Sequence, residues 1–134
     1  MKIAGLTVAY WSLLVAALLP IACASLAKWG MLGKPRREGG YDNHNPRDWL
    51  ARQGDWRARA NAAQANSFEA LPLFMAAVIV AHQVGANQMR LDLLAFLFVV
   101  LRVVYVMLYV ADLATARSLI WTLALVVNIA LFFI

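Results

Sequence analysis

The chain reads as an all-α integral membrane protein, a four-transmembrane-helix bundle, and three observations predict it. Of its 134 residues, 63% are hydrophobic and only 14% are charged, and the mean hydropathy is +0.68, far from the composition of a soluble domain. The apolar residues gather into runs long enough to cross a hydrocarbon layer, which takes about 20 residues per helix. These runs lack the alternation of a membrane barrel, and without water in the hydrocarbon each backbone group must pair inside its own span, which selects helices. One domain over residues 1–134 follows. Its spans are expected at about 5–27, 60–84, 91–111 and 116–134, with one sizeable connection over about 28–54.

The first span is broken only by Thr7, Ser12 and Ser25 and is closed by the interface pair Lys28 and Trp29. Lys2 followed by an apolar run imitates a secretory signal, but apolar character continues past Cys23 through Leu26, so the segment is read as a span. Cys23 is the single cysteine, which excludes an internal disulfide and any C-x-x-C motif and makes it a small core residue. The connection is basic and turn-rich. Asn45, Pro46 and Asp48 have the order of an N-cap, a first-turn proline and an acidic residue, which predicts a short helix through Trp49 and Arg52. Asp55 is expected to cap the second long helix, with Pro72 inside it as a kink, and Gly85 to Asn87 to turn the chain into the third span. Asp112 to Ala116 forms the last tight connection.

Lys28, Lys34, Arg36, Arg37, Arg47, Arg52, Arg57 and Arg59 lie in or beside the first connection, and Arg117 lies by the third. The positive-inside rule makes both connections cytoplasmic and both termini outward. A net charge of +5 concentrated in this way is a topology signal and gives no reason to expect a nucleic-acid partner.

Polar side chains inside the spans carry the functional information. At about 100° per residue, Arg59, Asn66 and Glu69 share one face of the second helix, and Arg102, Tyr105 and Tyr109 share one face of the third. With a rise of about 1.5 Å per residue, Asn66 and Glu69 lie roughly 6 and 10 Å below the cytoplasmic boundary, and Tyr109, Tyr105 and Arg102 roughly 3, 9 and 14 Å. A charge at mid-bilayer costs about 3 kcal/mol on insertion scales, so Glu69 and Arg102 are expected to face protein or water and to pair. Such groups also serve as packing contacts between membrane helices, and that reading competes with the functional one. The remaining polar residues read blandly: His44 as loop, with no metal site, His82 as an outer-end residue, Tyr10, Trp11 and Trp121 as interface or packing aromatics, and Asn128 as a helix-to-helix hydrogen bond.

Ala63-Gln64-Ala65-Asn66-Ser67-Phe68-Glu69-Ala70-Leu71-Pro72-Leu73-Phe74, Arg102-x-x-Tyr105-x-x-x-Tyr109 and Arg117-Ser118 together resemble the MAPEG family, the membrane-associated proteins in eicosanoid and glutathione metabolism. The first segment is similar to that family's Asn-x-x-Glu segment and Pro-x-Phe kink. Arg117 matches the arginine placed over the bound thiol, with the third connection one residue shorter. The resemblance implies a homotrimer binding glutathione as cosubstrate between neighbouring subunits at the cytoplasmic side. Gln64, Asn66, Glu69 and Arg102 would hold its polar groups, Tyr105 and Tyr109 would add hydroxyl contacts, and Arg117 and Tyr109 would be the catalytic pair. No covalently bound cofactor is implied. Lipophilic small molecules would arrive through the membrane lipids. The short loops resemble bacterial members, which implies the inner membrane. One departure stands out: Ala62 occupies a position, four residues before Asn66, where many members carry arginine, and Arg59, one turn earlier, is the available substitute.

The function implied is a glutathione-dependent transferase or peroxidase acting on lipophilic electrophiles. Two other classes stay open on the sequence. A small multidrug-type transporter would share the size and a membrane glutamate, although its glutamate belongs in the first span, which here has no ionisable residue. A non-catalytic membrane interaction module would use the polar stripes only for assembly.

Overall fold

The computed structural model describes residues 1–134. A short hairpin, β1 (Lys2–Ile3) and β2 (Leu6–Thr7), leads into α1 (Val8–Ala27). After the connection come α2 (Pro46–Ala51), α3 (Asp55–Gln83), α4 (Gln88–Val110) and α5 (Ala114–Ala130). In length and composition α1, α3 and α4 are each fit to cross a membrane, while α5 is a shorter apolar helix.

Local chemistry sets several boundaries away from the expected ones. Ala4 and Gly5 both have positive φ, 50° and 84°, the geometry of a tight hairpin turn, so the first helix starts at Val8 instead of near Gly5. Thr7 caps it by accepting the Tyr10 N–H at 3.2 Å, and Asp92 of α4 accepts the Ala9 N–H at 2.9 Å. Two of the unpaired donors of that helix end are thereby satisfied, and a carboxylate sits at its positive pole. Asn87 caps α4 through the Arg90 N–H at 3.1 Å. Asp55, by contrast, does not cap α3: it opens the helix with a φ of 53°, and Asn45 makes no side-chain cap bond at α2 either. The last helix ends at Ala130, with Phe132 and Phe133 donating to Ile129 and Ala130 in tightened turns.

The bundle is inside-out in residue size. The buried face of α1 is Ala9, Ser12, Ala16, Pro20, Cys23 and Ala27, at spacings of three and four, and α3 meets it with Ala60, Ala63, Ser67, Ala77 and Ala81. Small side chains bring the two backbones close, which is how helices gain packing energy where lipid is as apolar as leucine. Leu14, Val15, Leu18 and Ile21 point outward instead. The chain is an integral membrane protein. At the core Phe74 of α3 stacks on Phe98 of α4 at 4.1 Å, while α5 leans on α4 and barely meets α3. That leaves a groove between α3 and α5 with α4 as its floor.

The long connection between α1 and α3 is folded down onto the bundle. Trp49 and Leu50 of α2 are buried against Ala27 and Ala60, and Gly40 is tight enough that a β-carbon there would strike the Lys34 carbonyl. Two arginines from the first turns of α3 close the neighbouring helix ends: Arg57 donates to the Ala27 carbonyl of α1 at 2.9 Å and Arg59 to the Val110 carbonyl of α4 at 3.0 Å. Each puts a cation on the negative pole of a helix.

Candidate functional site

Six side chains from three helices form one continuous polar ladder. At one end the Arg117 guanidinium of α5 lies 4.3 Å over the Tyr109 ring. Tyr109 meets Tyr105 edge-on, with centroids 5.7 Å apart. The Arg102 guanidinium lies 4.2 Å over Tyr105 and its Nη2 donates to Asn66 Oδ1 at 2.7 Å. Asn66 Nδ2 in turn donates to Glu69 Oε2 at 3.3 Å.

The direct Glu69–Arg102 pair expected from the sequence is replaced by this relay: no ion pair joins the two residues, and Asn66 stands between them as both acceptor and donor. An asparagine suits the place because its amide presents an acceptor to the cation and a donor to the carboxylate. Arg102 is 3% exposed, and the Tyr105 face supplies the cation–π contact that a desolvated guanidinium favours, worth about 2 kcal/mol in such surroundings. Glu69 is exposed in the single chain, so its carboxylate is the end of the ladder open to a ligand.

The groove beside Glu69, Asn66 and Arg102 encloses about 160 Å³, with Leu73, Phe98, Trp121 and Leu125 as apolar walls and Asn128 at its deep end. Drug-sized ligands take clefts of about 300–1,000 Å³. This groove by itself falls short of that range.

A model of the MAPEG family matches residues 8–134. The chain belongs to the MAPEG family. No curated protein and no solved structure matches it. For this MAPEG chain the Asn-x-x-Glu segment and the third-helix Arg-x-x-Tyr-x-x-x-Tyr pattern, read separately along the sequence, are brought together in space by the Arg102–Asn66 hydrogen bond. Family membership associates the MAPEG chain with membranes and with glutathione metabolism in general.

Two candidate residues stand apart from the ladder. Gln64 lines a second surface hollow together with Arg47, Gln53, Ala62 and Phe68, between α2 and α3, because two residues along a helix turn about 200° from Asn66. Arg59 spends its Nε on the Val110 carbonyl.

Three residues read as bland or passed over deserve a different description. Trp121 is a wall of the groove. Asn128 makes no helix-to-helix hydrogen bond within the chain, and its Oδ1 is buried without a partner. Phe98 forms the floor; nothing in a run of Leu, Phe and Val distinguishes it, since only the stacking on Phe74 fixes where it points. His82, in the last turn of α3, is held by Thr7 Oγ1 at 3.1 Å and stacks on Tyr10 at 4.0 Å, a packed residue of the helix ends. Outside the membrane, the His44 N–H donates to Asp42 Oδ1 at 2.9 Å. That bond, helped by Arg36, holds the Asp42 carboxyl below its usual value.

Proposed function

We propose that the chain is a membrane-bound, glutathione-dependent transferase or peroxidase acting on lipophilic electrophiles, working as a homotrimer in a bacterial inner membrane. Residues 1–134 then form a single domain with spans at about 5–27, 60–84, 91–111 and 116–134, both termini outside and the 28–54 loop in the cytoplasm. The observation that carries the reading is the position of Arg117. Its guanidinium stacks on Tyr109 at the mouth of a ladder that ends in an accessible carboxylate. The family match over residues 8–134 supports glutathione as the thiol.

In this reading Glu69, Asn66 and Arg102 bind the charged and amide groups of glutathione, Gln64 and Arg59 contribute from the adjoining faces, and Tyr105 and Tyr109 offer hydroxyls. A second subunit supplies the room that one groove lacks. A free thiol ionises near pH ~8.5, and a permanently charged guanidinium beside it favours the thiolate. In the transferase reaction the thiolate sulfur bonds to the electrophilic carbon, the leaving halide departs with its electron pair, and the thiol proton has already passed to water. In the peroxidase reaction the sulfur attacks the hydroperoxide oxygen, the O–O bond breaks, and the alkoxide takes a proton to become an alcohol. A second glutathione then converts the resulting sulfenic acid to disulfide and water.

The test is glutathione binding and conjugation of a reactive aryl halide by detergent-solubilised protein shown to be folded and trimeric. Saturable binding with conjugation supports the reading. Folded trimer that does neither overturns it, and proton-coupled uptake abolished by Glu69→Gln would put a transporter in its place.

A further inference from the structure

Where α2 folds against the start of α3, the two helices border a hollow of about 600 Å³, within the range of about 300–1,000 Å³ that small-molecule ligands occupy. Its lining is graded along α3. Asn61, Gln64 and Phe68 follow one another at spacings of three and four on one face, and Arg47 of α2 and Gln53 just beyond it stand opposite. The 29 residues of α3 rise about 44 Å, against a hydrocarbon layer of about 30 Å. Its charged first turns, with Asp55, Arg57 and Arg59, therefore project from that layer. Asn61 and Gln64 then come at the level of the lipid headgroups, and Phe68, 50% exposed, at the edge of the acyl chains.

The charge of the hollow is one-sided. Arg47 joins no ion pair, and no carboxylate lines the space; Asp48, next along α2, is held by Arg52. Gln53 spends its amide nitrogen on the Trp49 carbonyl at 2.8 Å, while the Asn61 and Gln64 side chains bond nothing in the chain.

We propose that this hollow seats an anionic phospholipid whose headgroup carries hydroxyls and no cation, phosphatidylglycerol being the simplest example. The phosphodiester oxygens meet the Arg47 guanidinium, whose planar donors suit phosphate. The headgroup hydroxyls meet the amides of Asn61 and Gln64, each of which can both donate and accept. An acyl chain lies along Ala65 and Phe68. An ethanolamine head would bring an ammonium beside a guanidinium of the same sign, with no carboxylate to receive it, and is rejected on that ground. The apolar side of the hollow, Leu50, Ala62, Ala65 and Phe68, favours a lipid over a water-soluble phosphoester, which would leave it bare. The site lies apart from the α3–α5 groove, and of the residues given to glutathione above only Gln64 touches it.

The experiment is native mass spectrometry of the full chain released from nanodiscs holding equal amounts of phosphatidylglycerol and phosphatidylethanolamine with matched acyl chains. Phosphatidylglycerol should be retained at least about fivefold over phosphatidylethanolamine, the scale for one basic residue facing an anionic lipid. Arg47→Gln should bring that ratio to about one. Lys34→Gln removes the same charge from the loop outside the hollow and should leave the ratio in place, which separates a seat from general attraction to a basic surface. Phe68→Ala should weaken retention of both lipids together. Equal retention by the unmodified chain overturns the proposal, as does a preference that survives Arg47→Gln or falls equally with Lys34→Gln. Displacement of the lipid by glycerophosphoglycerol, the headgroup without its chains, would give the hollow to a soluble phosphoester and overturn it too. Glutathione affinity of the Arg47→Gln chain should be unchanged, so the lipid seat and the thiol site stand or fall separately.

Discussion

Arg102 Nη2 donates to Asn66 Oδ1 at 2.7 Å, and through that amide the buried cation of α4 reaches the carboxylate of α3. The bridge makes Asn66, not Glu69, the structural keystone. Asn66→Leu removes the partner of a buried guanidinium and of Glu69 at once, and should cost about 1–3 kcal/mol. Glu69→Gln keeps a side-chain oxygen for Asn66 and should shift stability by less than about 1 kcal/mol. Reversible unfolding of both variants in mixed micelles gives the comparison, and the reverse order would contradict the relay.

Glu69 ends the ladder in the open, so its value should appear in binding. Glu69→Gln is expected to weaken glutathione at least about tenfold, the scale of one charge-assisted hydrogen bond. Calorimetric titration reads it directly, and unchanged affinity would take Glu69 out of the thiol site.

Arg117 lies at the start of α5 over an aromatic ring, with no carboxylate partner. Arg117→Ala should leave the oligomer and its thermal midpoint nearly unchanged, lower kcat/KM for an aryl halide by about tenfold or more, and move the thiol limb of the pH–rate profile upward, because the neutral thiol is no longer disfavoured. A uniform rate loss with no pH displacement would make Arg117 a positioning residue only.

Arg59 gives the contrasting case. Its bond to the Val110 carbonyl is a helix-end contact, so Arg59→Met should cost about 1 kcal/mol of stability through the lost cation at the α4 C-terminus. If glutathione affinity falls as well, the guanidinium also serves the site in place of the arginine that Ala62 lacks.

The loop carries a pH signature. The Asp42 carboxyl titrates below its unfolded value because the His44 N–H and Arg36 favour the charged form, so its contribution is fully present above about pH 4 and is lost as pH falls through the lower, folded value. Limited proteolysis of residues 34–53 should be flat from pH 7 down to about 5 and rise only in stronger acid. Asp42→Asn should remove that dependence.

Much of the site was legible in the sequence because helices are periodic. Asn66 and Glu69, three apart, and Arg102, Tyr105 and Tyr109, three and four apart, had to share faces, and the cost of charge in hydrocarbon required those faces to turn inward. Periodicity places residues around one helix and is silent about distances between helices. It could not show that Asn66 intervenes between Arg102 and Glu69, that Arg59 lies within reach of Val110, or that Gln64 opens onto another hollow.

By itself, then, the sequence determined that the chain is helical and membrane-embedded, where most polar groups sit along each helix, and which family pattern they form, since composition, rise and angle per residue are local properties. Tertiary structure decided what local properties cannot reach. The small-residue seam brings α1 against α3, α5 stands away from α3, and the groove so opened leaves the Asn128 oxygen without a partner. Those outcomes depend on how whole helix surfaces fit, where a methyl group more or less changes the separation of two backbones.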